Sequence, residues 1–219
     1  MAETTADVEK SAGRLYSEST DADVNGMLGG VPSVAGFANV SKIDLQGSRG
    51  FLAKLGIGST NGRRTLNAVL EGGAGIGRVT EGLLVNITDH VDVIEPVTKF
   101  TAALQEKRKV RTVFSMGLEE WQPTESVHYD LVWTQWCVGY LMNPVGGVIV
   151  IKENLNSADG DYIDPVDGKC DKVRQADSKF QELIKQAGLR IIRMDTQRGL
   201  PRVQSKKLFP VKMYAMKPE

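Results

Sequence analysis

Apolar positions along the chain fall into short, nearly continuous runs, and the segments between them repeat their apolar residues with helical spacing. Phe51, Leu52 and Leu55 mark one face of a helix that Gly56 ends, and the pattern is regular from Ser48 onward. Thr65–Leu70 predicts a first strand, running into a glycine loop at Gly72–Gly77 and a helix over Arg78–Leu84. Val91–Glu95 predicts a second, buried strand, and the helix after it places Val97, Phe100 and Leu104 on one face. Val110–Phe114, Tyr129–Gln135 and Gly147–Lys152 supply strands three to five. In Ser178–Ala187 the residues Phe180, Leu183, Ile184 and Ala187 fall at i, i+3, i+4 and i+7, with Gly188 as the C-cap. Leu189–Met194 and Phe209–Tyr214 complete the strand-like runs. Continuous apolar strands alternating with amphipathic helices mean an α/β fold, with a mostly parallel sheet covered on both faces.

The first forty-odd residues differ. Residues 1–23 are polar, with one short helix around Val8–Tyr16, and Gly26–Gly36 is rich in Gly and Pro with Met27 and Leu28 exposed among them. Such a segment is a plain loop or a lid over a pocket. The division is therefore an N-terminal extension and lid loop over 1–47 and one domain over 48–219. Lys+Arg 27 balance Asp+Glu 27, which argues against a nucleic-acid partner. Two cysteines and two histidines do not fill a four-ligand zinc site, so no metal is expected, and His90 and His128 sit in polar surface turns without a role. No apolar run approaches the roughly 18 residues that cross a bilayer, and the polar, acidic start is neither a signal nor a transit peptide. The expectation is a soluble intracellular enzyme with a small-molecule site.

In doubly wound sheets ligands bind at the carboxyl ends of the strands, beside the switch point. After strand one comes Glu71-Gly72-Gly73-Ala74-Gly75-Ile76-Gly77-Arg78, and Glu95 ends strand two. A carboxylate there accepts hydrogen bonds from the two hydroxyls of a ribose. The loop is tighter than a dinucleotide fingerprint and opens on an acid, which suits a cation better than a diphosphate. S-adenosylmethionine carries a sulfonium and an ammonium, and its one carboxylate suits Arg78. The plain alternative is that Arg78 is a solvated helix residue.

The segments Gly26-Met27-Leu28-Gly29-Gly30, Gly73-Ala74-Gly75-Ile76-Gly77-Arg78, Val93-Ile94-Glu95-Pro96, Gln135-Trp136-Cys137-Val138-Gly139, Val150-Ile151-Lys152-Glu153-Asn154, Gln197-Arg198-Gly199-Leu200-Pro201 and Met213-Tyr214-Ala215 occur in this order over nearly the whole chain. In them the chain resembles the protein N-terminal methyltransferases that act on chains beginning X-Pro-Lys or X-Pro-Arg. The resemblance implies a class I, Rossmann-like methyltransferase with a seven-stranded sheet, using S-adenosylmethionine to methylate a free α-amine exposed after Met removal. It implies that the cofactor lies over Gly73, Gly75 and Arg78, with its ribose on Glu95 beside Pro96 and Val97. The adenine then falls near Leu118 and Glu119, and the methionyl end near Gln135. On the substrate side it implies Trp136 stacking on the proline ring, Leu28, Val40 and Leu208 as apolar walls with Gly29 and Phe209 beside them, and Asn154 on the first peptide carbonyl. Asp164 and Asp167 face the basic third residue, and Asp167 also reaches the α-amine, whose pKa near ~7.7–8.0 makes proton removal necessary. By resemblance the partners are ribosomal and nuclear protein tails, with no nucleic acid or membrane, in cytoplasm and nucleus.

The chain also departs from that family. Tyr140 stands, among the catalytic positions, where relatives carry a His that assists proton removal, and a small polar residue near Ser17 replaces a Trp that lids the cofactor. Gly168 and Lys169 replace a Ser-Ser pair. Only 12 residues, Trp136–Gly147, separate strands four and five, which leaves no room for the usual crossover helix. Either the crossover is a bare loop or the sheet is rearranged. One sheet face is expected to lose cover, with low stability and weak turnover. The alternative function is thus a weak or inactive relative that binds cofactor or peptide as an interaction protein.

Overall fold

The computed structural model describes residues 19–60, 62–123, 127–137, 147–156, 162–163, 173–174, 176–201 and 208–219. In chain order its strands are β1 (Leu66–Gly72), β2 (Thr88–Ile94), β3 (Val110–Phe114), β4 (Leu131–Gln135), β5 (Val148–Asn154), β6 (Tyr162–Ile163), β7 (Val173–Arg174), β8 (Leu189–Thr196) and β9 (Val211–Pro218). Seven of them form one sheet in the order β3-β2-β1-β4-β5-β9-β8, while β6 and β7 pair separately. Strands β1 to β5 run parallel, and β9 is antiparallel to both β5 and β8. The chain winds outward from β1 to β3 and then returns to β4 on the other side. That reversal opens a crevice at the carboxyl ends of β1 and β4.

The described helices are α1 (Val24–Met27), α2 (Val40–Lys54), α3 (Arg78–Gly82), α4 (Thr98–Thr101) and α5 (Asp177–Gln186), with short 3-10 turns at Val31–Ser33 and Leu84–Asn86. On one face of the sheet Val69, Val93, Leu131, Trp133, Val150 and Ala215 pack under Phe51 and Leu52 of α2 and under Leu83 and Leu84. On the other face, Ala68, Leu70 and Ile94 lie beneath Trp121 and Tyr129, and Ile149, Ile151, Tyr214 and Met216 lie beneath Ile184 of α5. Gly188 takes a left-handed φ of 69° just past α5, the conformation its place as a helix stop requires. His90 and His128 are exposed.

Two helices differ from the expected pattern for identifiable reasons. Helix α2 begins at Val40 rather than near Ser48, so it runs across residue 47. Its buried positions are Val40, Asp44, Ser48, Phe51 and Leu52, so two polar residues lie on the buried stripe and interrupt the apolar period. Helix α4 has only four residues, yet Val97, Phe100 and Leu104 are all buried as their spacing predicts. The predicted helix near Val8–Tyr16 lies outside the described residues.

The short connection after β4 does not rearrange the sheet. Strands β4 and β5 are parallel neighbours, in register from Leu131↔Val148 to Gln135↔Lys152. The chain must return four residues along the strand, roughly 13 Å, and move sideways by about one strand spacing. The 12 residues Trp136–Gly147 reach that distance easily, since an extended residue spans about 3.3 Å. Residues 138–146 lie outside the described set. The expected loss of cover over β5 is corrected: Ile149 and Ile151 are buried, packed against Ile184, Leu189, Tyr214 and Met216. On that face of β4, Val132 is half-buried and Thr134 buried.

Helix α5 therefore closes this face. Ile151→Ala is expected to cost ~2–5 kcal/mol, as large-to-small changes in cores do. The check is a lower denaturant midpoint at unchanged m-value.

Candidate active site

Strand β1 delivers the chain into the glycine loop at the crevice. Gly73 and Gly75 have φ of 68° and 55°, a backbone open to glycine at little strain. A Cβ at Gly73 would lie 2.6 Å from Cys137 Sγ, and one at Gly75 2.7 Å from Met27 Sδ. Met27 therefore lies against the loop, and both Met27 and Leu28 are half-buried rather than exposed as expected. The Gly73 and Ala74 amides donate to the Ile94 carbonyl at 2.9 and 3.2 Å, which ties the loop to the end of β2.

Glu95 stands at that same end. Its Oε2 accepts from the Gly75 amide at 2.8 Å and its Oε1 from the Val97 amide at 3.0 Å. Burial pushes its pKa up, and the two amides pull against that. Each oxygen keeps a further lone pair for a hydroxyl. Pro96 is half-buried and Val97 buried beside it. After β3, Leu118 packs on Gly72, where a Cβ would meet its Cδ1 at 3.1 Å, and Glu119 is half-buried next to it. The bonds of Glu95 to Gly75 and Val97, with Leu118 against Gly72, thus tie together the ends of β1, β2 and β3.

Arg78 opens α3, and the reading of a solvated helix residue is excluded. Its side chain is only 8% exposed, and its Nη1 donates to Asp44 Oδ2 at 2.9 Å. Gln135, the last residue of β4, donates from Nε2 to the same oxygen at 3.0 Å. Lys152 of β5 lies 2.5 Å from Asp44 Oδ1 and is wholly buried. Its ammonium also donates to the Asp44 carbonyl, Ser48 Oγ and Gln197 Oε1 at 3.0, 2.8 and 2.9 Å. Burial alone would raise the Asp44 pKa, but Lys152 and Arg78 outweigh it and hold the carboxyl ionised.

Sequence reasoning missed Asp44, Lys152 and Gln197 as members of this group. The signals were present: a lysine closing the apolar run Gly147–Lys152, and Asp44 spaced i+4 from Val40 on an apolar helix face.

Trp136 follows Gln135 with a φ of 58°, a strained conformation for an aromatic residue. Its amide donates to the Lys152 carbonyl at 3.1 Å, and its ring covers the Arg78 guanidinium at 5.3 Å. Gln135 Oε1 and Trp136 Nε1 are buried without a hydrogen-bond partner among the described residues. Asn154, two residues beyond Lys152, is half-buried and in register with Val211 of β9. Leu208 and Phe209, half-buried, lead into β9, and the Leu155 amide donates to Pro210 O at 2.7 Å. The end of β5 therefore lies between Trp136 and the start of β9. Val40 is buried one turn before Asp44, while Leu28 caps α1 and Gly29 follows it. The Cys137 thiol donates to the Gly72 carbonyl at 3.0 Å, and burial raises its pKa well above the ordinary range, so it remains a thiol. Tyr140, Asp164 and Asp167 lie outside the described residues, as do Ser17, Gly168 and Lys169.

Comparison with known proteins covers nearly the whole chain. The profile of a family described as AdoMet dependent proline di-methyltransferase matches residues 5–217. The chain is 35% identical to alpha N-terminal protein methyltransferase 1 of Schizosaccharomyces pombe, over 94% of this chain and 97% of that protein. It is 32% identical to N-terminal Xaa-Pro-Lys N-methyltransferase 1-A of Xenopus laevis, over 85% and 87%. A solved SAM-dependent methyltransferase from Leishmania major superposes with a TM-score of 0.76 at 27% identity, covering 95% of this chain and 82% of that one.

Glu71, beneath the loop, carries a pH consequence. It is buried and accepts from the Thr80 hydroxyl, and burial raises its pKa from 4.5 to about 7. The folded state therefore holds a proton that the unfolded chain releases above its own pKa. Stability from this group is full below the unfolded value and falls as pH rises toward about 7. Relative to Glu71→Gln, which keeps an acceptor for Thr80, the native chain is expected to lose up to ~3 kcal/mol between pH 4.5 and 8. Urea titrations of both proteins across that range check this.

Proposed function

We propose the function from a premise that the match over residues 5–217 establishes: the chain belongs to the AdoMet dependent proline di-methyltransferase family. It transfers methyl groups from S-adenosylmethionine to the free α-amine of proteins beginning X-Pro-Lys or X-Pro-Arg. The names of relatives that align along nearly the whole chain support this reading. The observation that carries it is the convergence of Gly75, Glu95, Arg78 and Gln135 on one crevice at the switch point. No described residue favours a relative that only binds.

The residues fit the methyl donor. The loop has no room for a Cβ at Gly73 or Gly75, and Gln135 Oε1 is a buried acceptor without a partner among the described residues. Arg78 and Lys152 together carry one more charge than Asp44 cancels. Glu95 then holds the ribose hydroxyls, Arg78 the carboxylate, Gln135 Oε1 the ammonium, and Leu118 with Glu119 borders the adenine. When bound, the donor supplies a sulfonium methyl open to in-line attack.

This chain's own residues have to align the nucleophile and free its lone pair. Trp136 presents a flat ring beside the donor for the proline of the substrate, and Asn154 orients the first peptide carbonyl. In this reading Asp167 takes the proton of the α-amine, Tyr140 belongs to the catalytic set, and Asp164 with Asp167 reads the basic third residue, roles carried by the resemblance. Holding amine and methyl in line supplies much of the acceleration that a transfer without covalent intermediates needs. The substrates in this reading are ribosomal and nuclear protein tails, met in cytoplasm and nucleus.

Mass spectrometry of a Ser-Pro-Lys peptide incubated with the protein and S-adenosylmethionine tests the activity; a mass gain confined to the N-terminal amine is expected. A Ser-Pro-Glu peptide is expected to react far more slowly, with the gap narrowing at high salt as screening weakens the charge contribution. Arg78→Ala and Glu95→Ala are each expected to weaken donor binding by ~1–3 kcal/mol, measured by calorimetry.

A further inference from the structure

The carboxylate of Asp44 joins segments far apart in the chain. It comes from α2, while its partners Arg78, Gln135 and Lys152 come from α3, β4 and β5, and Gln197 from the segment after β8 secures Lys152. Lys152 spends its three donors on the Asp44 carbonyl, Ser48 and Gln197, is 0% exposed, and so has no N–H left for a ligand. Asp44 is likewise buried; its Oδ2 accepts from Arg78 and Gln135, and its Oδ1 lies 2.5 Å from the Lys152 ammonium. Neither residue is placed to touch a substrate. Both determine where other side chains point.

The consequences at Arg78 and Gln135 are specific. Asp44 takes one guanidinium N–H of Arg78, and the remaining donors of that fork have no hydrogen-bond partner among the described residues. By accepting from Gln135 Nε2, Asp44 also fixes which end of that amide is the acceptor, and Oε1 is the unpartnered atom. A cationic fork and an amide oxygen held side by side are complementary to an α-amino acid: carboxylate to the fork, ammonium to the oxygen. We propose that Asp44 and Lys152 form a positioning pair that orients Arg78 and Gln135 toward the amino-acid end of the methyl donor. This rests on the donor placement given above.

Calorimetry with two ligands tests the pair. S-adenosylmethionine carries the amino-acid end, whereas 5′-methylthioadenosine keeps the adenosine and lacks it. Asp44→Asn is close to isosteric and still bonds one neighbour, but it no longer pairs with both cations. It is expected to lower affinity for S-adenosylmethionine about tenfold or more, the scale of a hydrogen bond to a charged group, and to leave methylthioadenosine within about twofold. Gln197→Ala, which frees Lys152 from the far side, is expected to show the same selectivity in smaller measure. It decides the matter if the Asn variant does not fold. Equal weakening of both ligands would make the pair merely structural, and no weakening of either would make it idle; both overturn the inference. Equal affinities of the native protein for the two ligands would instead overturn the donor placement, and the inference with it.

Discussion

A buried aspartate between two cations ties the halves of this molecule together. Asp44 lies on a helix outside the sheet, yet it meets Arg78 below the glycine loop, Gln135 at the end of β4 and Lys152 inside β5. Charges removed from water are costly unless paired and hydrogen-bonded, and Lys152 meets the requirement, with an acceptor for each of its donors and Asp44 Oδ1 2.5 Å away. Such a cluster forms only when α2, the loop after β1 and the ends of β4 and β5 are all in place. Its strength therefore depends on the whole fold, and the crevice inherits that rigidity.

The other side of the crevice is built from backbone. The loop after β1 is bonded to the Ile94 carbonyl, and Glu95 returns the tie by accepting from Gly75 and Val97. Two loops from adjacent strands are thereby locked to one carboxylate, and each of its oxygens keeps a further lone pair. Electrostatics divides the site accordingly. Near Glu95 and Glu71 it favours donors, while around Arg78 and Lys152 it holds an excess positive charge. A zwitterionic ligand with hydroxyls at one end and a carboxylate at the other fits that polarity. Trp136 closes the group by laying its ring over Arg78, at the cost of a strained backbone where strand becomes loop.

The short connection between β4 and β5 shows how geometry limits an argument from relatives. A crossover helix is usual between parallel strands, but the sheet requires only that the chain return about four residues along the strand and over by one. Twelve residues suffice, and α5 with the last two strands buries the apolar side chains of β5. Cover that one segment does not supply is supplied by another.

Much of the fold was legible because it rests on periodicity. The runs at Val110–Phe114 and Leu189–Met194, the helix ending at Gly188 and the loop between β1 and α3 follow from apolar spacing and glycine placement alone. Glu95 was legible for a related reason, since a residue ending a parallel strand points its chemistry into the crevice whatever the rest of the chain does, whereas Gln135 was reached through the resemblance carried by Gln135-Trp136-Cys137-Val138-Gly139. Asp44, Lys152 and Gln197 were not legible. Residues 44, 152 and 197 are distant in sequence, and a polar residue on an apolar stripe looks like an error in the pattern until its partners are known. The sequence by itself determined the sheet, the loop and the acid after β2, because these depend on local backbone and alternation. Only the tertiary structure decided that Arg78 is buried rather than solvated and which oxygen of Gln135 is the free acceptor. Charge pairing is a property of distances between segments, and those distances exist only after the chain has folded.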